Sequence, residues 1–336
     1  MSRSRWGGFF KGFKRYSEKW NELRTTEAET QSVAAPTSPT EFDYTTAQGI
    51  WNLNSTMQFK KRSIPVGQAE YTTPGTYSWT APAGVTSVSV VCVGGGGGGI
   101  AFSGSFNDYA MNGGGGGGLG WKNNISVIPG QSYTVVVGAG GSKGAYSTGS
   151  TAGESSYFID TSTVAGLGGN PGRYNTTISG GSYVGDGGGS GGSSINPTSA
   201  SGLGPAGGGG AGGYTGDGGT GRHYLIAASN CSAPSGGGGA GGHAASTEEN
   251  SFGGGGVGIY GEDASGTGVT GGGGNGGSGG AQGFEATSTP PVGGSYGGGG
   301  GGSSSSSANG GNGGGGAVRI IWGLGRAFPS TNTGDL

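Results

Sequence analysis

The amino-acid sequence predicts an all-β protein in which a small antiparallel β-sheet or sandwich carries a body of extended glycine runs. Three observations lead to this prediction. Glycine supplies 92 of the 336 residues, and only seven of these glycines precede Val93. Valine-rich segments of strand length abut the glycine runs. Leu, Ile, Val and Phe are too scarce for an ordinary apolar core, yet the net charge of −2 is too small for a typical disordered chain.

The first segment, residues 1–33, carries apolar residues at a 4-3-4-3 spacing, which predicts one face of a short amphipathic helix. A helix of two heptads is too short to be stable alone in water. We therefore expect this face to dock into another protein, and a seam between three copies of the chain is the alternative. The residues of the face are Phe9, Phe13, Tyr16, Trp20 and Leu23.

Residues 34–69 are predicted to form a linker and a small knob. Ala34–Thr40 contains two prolines, which end any preceding helix. The apolar and aromatic residues between 41 and 68 suffice for a small packed knob but not for an independent domain. The charge run Lys60-Lys61-Arg62 is typical of a solvated surface.

The main domain is predicted to span residues 70–336, with strands near 85–93, 125–137 and 317–322. Residues 85–93 alternate and then become continuously apolar, as in a strand that is first half-buried and then buried. Cys92 lies in this run and is expected to be a buried thiol, because two cysteines are too few for a disulfide framework.

Between Gly94 and Gly316, about a dozen glycine-rich runs alternate with short polar inserts. Gly/Ser tracts are usually flexible linkers. These runs, however, begin and end at strands of one sheet, so the chain must leave the sheet and return repeatedly. Glycine can form a polyproline-II-like helix with three residues per turn, and such helices can approach closely and pair their outward backbone groups. The sequence therefore predicts a bundle of polyglycine-II helices.

Catalytic and metal motifs are not supported by the sequence. His223 and His243 have no Cys or His at ligand spacing. Gly-rich phosphate motifs match trivially in polyglycine. The acid pairs at 248–249 and 262–263 lie inside inserts, where solvated loop tips are commoner than a glycosidase pair. We therefore expect no enzyme activity, no cofactor and no metal site.

Charge and hydropathy restrict the partners of the chain. Residues 1–62 carry a net charge of +4 and residues 63–336 a net charge of −6, a distribution unlike that of a nucleic-acid-binding domain. No run of 18 apolar residues occurs, so membrane insertion is not expected. The basic, aromatic start of the chain lacks the apolar region of a signal peptide, which indicates synthesis without export.

The polar inserts contain most of the larger side chains of the glycine body, and most inserts include an aromatic residue. If the runs go up and down between two ends, alternate inserts gather at the end away from the sheet. Polar loops with aromatics on a rigid scaffold are typical of binding surfaces, although aromatics that simply pack the ends of the runs are the alternative. The candidate receptor-loop residues are Phe106, Tyr109, Tyr174, Tyr224, Phe252, Tyr260 and Phe284.

Three stretches resemble the glycine-rich structural proteins of tailed bacteriophages, especially those of cyanophages. The resemblance covers residues 42–336 and rests on GIWNLNSTMQFKKR, TTPGTYSWTAPAGVTSVSVVCVGGGGGG and GGGGAVRIIWGLGRAFPSTNT. It implies a place in the virion, in a tail fibre or another appendage. Glycine-rich adhesins of related design pack polyglycine-II helices into a sandwich with receptor-binding loops at one end. Residues 1–33 follow no pattern of that family.

The resulting hypothesis is a virion structural protein, a tail fibre or appendage whose loops recognise the host surface. Its expected partners are other virion proteins, bound through residues 1–33, and a host polysaccharide or outer-membrane protein. A homotrimer is possible in this hypothesis. The main alternative is a decoration or cement protein of the capsid, tail or baseplate that binds no ligand. A matrix or cell-wall protein of the host is a third hypothesis, weakened by the missing signal peptide.

Overall fold

The computed structural model describes residues 65–101, 111–145, 148–195, 204–223, 232–244, 251–268, 272–284, 290–303 and 310–330. The chain divides into two units, Met1–Ile64 and Pro65–Leu336. The predicted N-terminal helix and residues 34–64 of the predicted linker and knob fall in the first unit, outside the described residues. Residues 65–69, which we expected to belong to the knob, lie in the second unit. The described part of the second unit is all-β and contains no helix.

Twelve strands occur in the described residues: β1 (Gly67–Tyr71), β2 (Gly75–Thr80), β3 (Ser87–Val93), β4 (Leu119–Ser126), β5 (Ser132–Val137), β6 (Ser156–Phe158), β7 (Val164–Gly166), β8 (Tyr183–Val184), β9 (Gly187–Gly189), β10 (Ser194–Ile195), β11 (Gly221–Arg222) and β12 (Ala317–Trp322). A first sheet has the order β1-β12-β3-β4-β9 and a second the order β2-β5-β6-β7-β8. All neighbouring strands in these two sheets are antiparallel, whereas β10 and β11 pair in parallel. The predicted all-β class with antiparallel sheets is confirmed.

The two five-stranded sheets share one apolar core. Alternate residues of β3, including Val90 and Cys92, contact residues of the second sheet such as Val135 and Phe158, and all four are fully buried. Burial of such a side chain contributes about 1.5–3 kcal/mol relative to an exposed one. The expectation of a buried thiol at Cys92 is confirmed. Burial raises the pKa of this thiol far above its ordinary range.

The other face of β3 packs against the ends of glycine runs. Val91 and Val93 join a second apolar cluster with Tyr214, Ile259 and Phe328, which lie in segments between runs or after β12. The first sheet is therefore covered on both faces. This double burial is the reason why the second half of β3, residues 90–93, is continuously apolar rather than alternating.

The chain passes from one sheet to the other at the turn between β4 and β5. Pro129-Gly130 lies in this turn, and Gly130 adopts a φ of 80° there. The strands on either side do not pair with each other, because β4 pairs with β3 and β9 whereas β5 pairs with β2 and β6. The turn is thus a crossing between layers.

Backbone hydrogen bonds join the glycine runs with a period of three residues. Consecutive N–H groups of the run 94–99 donate to three different segments, and the next three N–H groups repeat that order at N–O distances of 2.8–3.0 Å. The accepting segments are 113–118, 151–154 and 311–314. Carbonyl groups of residues 95–100 accept in the same alternating way from three further segments, namely 141–144, 169–172 and 300–303. This run therefore has six hydrogen-bonded neighbours.

The runs approach so closely that most positions in them have no room for a side chain. A Cβ on Gly96 would lie 2.1 Å from the carbonyl oxygen of Gly298, and one on Gly313 would lie 2.0 Å from that of Gly96. Both distances are far below van der Waals contact. Gly315 differs, because its Cβ would meet only Pro74 Cγ, at an ordinary 3.5 Å. Close backbone packing therefore explains the glycine content of the runs.

Arg319 on β12 ties the first sheet to the glycine body. Its side chain is fully buried, and its Nε lies 3.2 Å from Glu70 Oε1 on β1. Its Nη2 donates to Gln68 Oε1 at 2.7 Å and its Nη1 to the carbonyl of Ile259 at 3.3 Å. These contacts give the buried guanidinium acceptors on both the sheet and the chain between two runs.

Candidate binding end of the glycine body

Described residues that flank several of the polar inserts lie side by side, at the ends of the runs away from the five-stranded sheets. Backbone bridges connect Ile100 with Gly144, Ala101 with Ser303, Met111 with both Tyr174 and Pro205, and Arg222 with His243. We call these residues and the other described residues that border the inserts at this end the loop end. The opposite end, where the runs meet the five-stranded sheets, is the strand end. The loop end is therefore built from inserts that are far apart in the sequence.

Two side chains hold the insert at 173–176 in place at the loop end. Tyr174 is half-buried, and its hydroxyl donates to the carbonyl of Ala101 at 2.8 Å. The fully buried Asn112 donates from Nδ2 to the carbonyl of Arg173 at 3.0 Å and also to that of Thr176. Tyr174 thus acts as an anchor in this structure, with its polar atom turned to the scaffold.

Phe252 and Phe284 differ in exposure although both lie in inserts at the loop end. Phe252 is only 2% exposed, so its side chain packs within the body. Phe284 is 62% exposed. Backbone hydrogen bonds fix the position of Phe284, because its N–H donates to Val292 at 2.9 Å and its carbonyl accepts from Gly253 at 3.3 Å. Phe284 is therefore an exposed aromatic side chain on an ordered backbone.

The structure places Tyr260 at the strand end rather than with the other candidates. Its ring lies 4.4 Å from the guanidinium carbon of Arg319, and its hydroxyl donates to Glu70 Oε2 at 2.9 Å. The run 251–258 carries the chain from the loop end back to the first sheet before Tyr260 is reached. The ring stacks on a buried cation, which is a favourable contact in itself.

The remaining candidates fall outside the described residues. These are Phe106, Tyr109 and Tyr224 among the receptor-loop residues, and Phe9, Phe13, Tyr16, Trp20 and Leu23 of the docking face.

The sequence pattern does not predict that His223 and His243 lie near each other at the loop end. His223 and His243 are buried, and the backbone bridge between Arg222 and His243 brings their segments together. Burial, and secondarily the neighbouring His243, lowers the pKa of His223 to about 4. Burial, followed by the charge of Arg222, lowers the pKa of His243, and a backbone hydrogen bond at Ala244 opposes this shift. Both imidazoles are therefore neutral at pH 7.

The described residues contain no cluster of three or more His, Cys, Asp or Glu side chains arranged to hold a metal ion. Within the same described ranges, no helix has the length and apolar character needed to cross a membrane.

These features define a class of protein: an all-β, glycine-rich domain in which close-packed runs connect two antiparallel sheets with a set of polar inserts. Residues 72–323, about three quarters of the chain, match the family model described as Glycine-rich domain. The chain belongs to this family. No curated protein matches the sequence.

Proposed function

We propose that this chain is a structural protein of a tailed-phage virion, a tail fibre or similar appendage that presents the inserts of its glycine body to the host surface. The observation that carries the proposal is the gathering of the insert flanks at one end of the runs. Loops on a rigid scaffold are the usual way to build a recognition surface. The assignment to a phage virion rests on the sequence resemblance of residues 42–336.

We also infer that the glycine runs are polyglycine-II helices. The three-residue period of their hydrogen bonds equals the period of a polyproline-II helix. The N–H groups of residues 94–99 and the carbonyl groups of residues 95–100 bond to six other segments and not to one another. Such a lattice makes the body stiff, which suits a scaffold that must hold the inserts in fixed positions.

The proposed partners are other virion proteins, bound through residues 1–33, and a host polysaccharide or outer-membrane protein, bound by the inserts. The inserts supply aromatic faces with Asn and Ser around them, which suits stacking and hydrogen bonding to sugars or protein loops. The role is one of binding and structure without catalysis, cofactor, nucleic acid or membrane insertion.

Within the candidate set, exposure divides the aromatic residues into two groups. Phe284 supports the recognition role because its ring is exposed at the loop end. Phe106, Tyr109 and Tyr224 lie in the inserts and remain recognition candidates. We assign Tyr174, Phe252 and Tyr260 to the scaffold, because their side chains are anchored, buried or stacked on Arg319.

A second candidate function is a decoration or cement protein that binds no ligand. The observation that favours it is the packing of Tyr174 and Phe252 against the ends of the runs. If the other insert aromatics do the same, the inserts close the ends of the glycine body and recognise nothing.

The test measures binding of the full-length chain to whole host cells and to host mutants resistant to the phage. We expect saturable binding that resistant mutants lose, and a reduction of at least about tenfold for Phe284→Ala or Tyr109→Ala. Ile128→Ala is the matched control, since Ile128 is 63% exposed but lies in the turn between β4 and β5. A chain that assembles onto virions lacking it, yet binds no cells, is instead the decoration protein. A chain that does neither refutes both functions.

A further inference from the structure

Among the described residues, strand β2 has a hydrogen-bonded neighbour on one side only, and its sequence lacks the features that usually protect an edge strand. Its neighbour within that sheet is β5, and all six residues from Gly75 to Thr80 pair in register without a bulge. The strand contains no charged residue and no proline. Natural edge strands usually carry such features, because their unpaired N–H and C=O groups are a template for another strand. The edge strand β1 of the first sheet does carry a charge, Glu70.

Hydrogen bonds next to the strand show which residues of β2 direct their backbone groups to the open side. Ala81 donates to the carbonyl of Gln131 at 2.9 Å and accepts from Gly130 at 2.8 Å, so it bonds on the β5 side. In antiparallel pairing, successive residues direct their backbone groups alternately to the two sides. The groups of Thr76, Ser78 and Thr80 therefore point to the open side.

The sequence around this edge is nearly symmetrical about Ser78. Residues 74–82 read PGTYSWTAP. The pairs equidistant from Ser78 are two prolines, Gly and Ala, two threonines, and Tyr and Trp. Pro74 and Pro82 are each four residues from Ser78, so a backbone N–H at these positions would also point to the open side. Proline has no such N–H. The open edge is thus bounded by prolines and centred on Ser78.

We propose that β2 pairs with β2 of a second copy of this chain, antiparallel about a two-fold axis through Ser78. Each pair of outward residues exchanges two hydrogen bonds, so the three pairs form about six bonds. Ser78 faces Ser78 of the second copy, and Thr76 faces its Thr80. The second sheets of the two copies become one continuous sheet.

The side chains suit this register on both faces of the sheet. Thr76, Ser78 and Thr80 are exposed, and their hydroxyls face hydroxyls of the second copy. On the inner face Tyr77 comes opposite Trp79 of the second copy. Hydroxyl pairs and aromatic pairs are both favourable across antiparallel strands, and no like charges meet.

The neighbouring registers fit less well. With the two-fold axis through Tyr77, the carbonyl of Thr80 faces the nitrogen of Pro74 in the second copy and stays unpaired. With the axis through Trp79, the carbonyl of Thr76 faces Pro82 in the same way. The axis through Ser78 pairs all outward groups of β2 and leaves the prolines just outside the ladder. An isologous contact of this kind closes at two copies.

The first experiment follows the mass of the full-length chain by sedimentation and light scattering over a wide concentration range. We expect a dimer that dissociates on dilution, and a dissociation constant at least about tenfold higher for Ser78→Lys, because two lysines then face each other. Thr134→Lys is the matched control. Thr134 pairs with Ser78 and is exposed on the same face, but it lies one strand inside the edge.

A second experiment reads the register and does not depend on the behaviour of Ser78→Lys. In a Cys231→Ser background, Ser78→Cys places two thiols on opposed residues with Cα atoms about 5.5 Å apart, which is within disulfide range. Thr76→Cys places its thiols four residues apart along the ladder, beyond that range. We expect oxidation to give covalent dimers with Ser78→Cys and with the double variant Thr76→Cys/Thr80→Cys, but not with Thr76→Cys alone.

Three outcomes overturn the proposal. In the first, the chain stays monomeric at all concentrations and Ser78→Cys forms no covalent dimer. In the second, the chain forms an oligomer, a trimer included, whose mass Ser78→Lys leaves unchanged. In the third, Thr76→Cys and Ser78→Cys cross-link to the same extent.

Discussion

Replacing Gly313 by alanine tests whether close backbone approach holds the glycine body together. The new Cβ would lie 2.0 Å from the carbonyl oxygen of Gly96. Relief of this clash needs a movement of more than 1 Å, since ordinary contact begins at 3.4 Å. That movement acts on the bonds from Gly313 to the carbonyl of Gly141, 2.9 Å, and from Gly141 to the carbonyl of Gly96, 2.8 Å.

The magnitude follows from two losses and one gain in stability. Overpacking of a dense interior costs about 1–3 kcal/mol. Each of the two weakened hydrogen bonds is worth about 1 kcal/mol. Reduced freedom of the unfolded chain returns roughly 0.4–1 kcal/mol for Gly→Ala. We therefore expect a net loss of about 3 kcal/mol, which lowers the melting temperature of a domain this size by roughly 6–12 °C.

Gly315→Ala is the control in the same run. A Cβ at Gly315 would meet only Pro74, whose Cγ lies 3.5 Å away, and the φ of Gly315 is not positive. We expect this variant to melt at the same temperature as the parent or slightly higher. Thermal unfolding followed by calorimetry compares the two variants under identical conditions. Equal melting temperatures for Gly313→Ala and Gly315→Ala would refute the reasoning.

Three further predictions concern single side chains. The pKa of His223 is lowered from its ordinary value of 6.5 to about 4 in the folded chain. Between these two values the imidazole binds a proton in the unfolded chain but not in the folded chain. The melting temperature should therefore fall as the pH drops from 6.5 towards 4, and His223→Gln should weaken this dependence; an unchanged pH profile contradicts the assignment. Glu70→Ala leaves Arg319 buried without its carboxylate partner and should lower the free energy of chemical unfolding by about 3 kcal/mol. This is the low end for a buried ion pair, because the Glu70 side chain is 28% exposed. A loss below about 1 kcal/mol would show that the other acceptors of Arg319 suffice. Tyr174→Phe removes the bond to Ala101 and should cost about 1 kcal/mol without changing cell binding; weaker cell binding at equal stability would instead make this hydroxyl part of the recognition surface.

The strands that the sequence predicts are those in which the local pattern is sufficient. In β3 residues 90–93 are apolar without interruption, and β12 is apolar except for the buried Arg319, because both strands are covered on two faces. The short strands β7, β8 and β9 lack such a pattern, and β9 consists of three glycines. These residues become strands because a neighbour pairs with them, which no local propensity encodes.

The candidate site was predicted less completely than the fold, since it depends on the path of each run. The alternation of runs and inserts predicts that alternate inserts gather at one end, but it does not tell which inserts these are. The actual path separates Tyr260, which follows the run returning to the first sheet, from Phe284. His223 and His243 are twenty residues apart and meet through a bridge between two runs. Neither placement can be read from residue type or spacing.

The three-residue repeat of the hydrogen bonds restricts how this chain can change length during evolution. Deleting one residue from the run 94–99 would turn every later N–H group by about 120°, away from its partner and towards the wrong neighbour. Removal of three residues shortens the run and keeps every partner in phase. We therefore expect insertions and deletions inside the runs only in threes, whereas the inserts can gain or lose any number of residues. Variation in length should then fall in the inserts, while the lattice of runs stays constant.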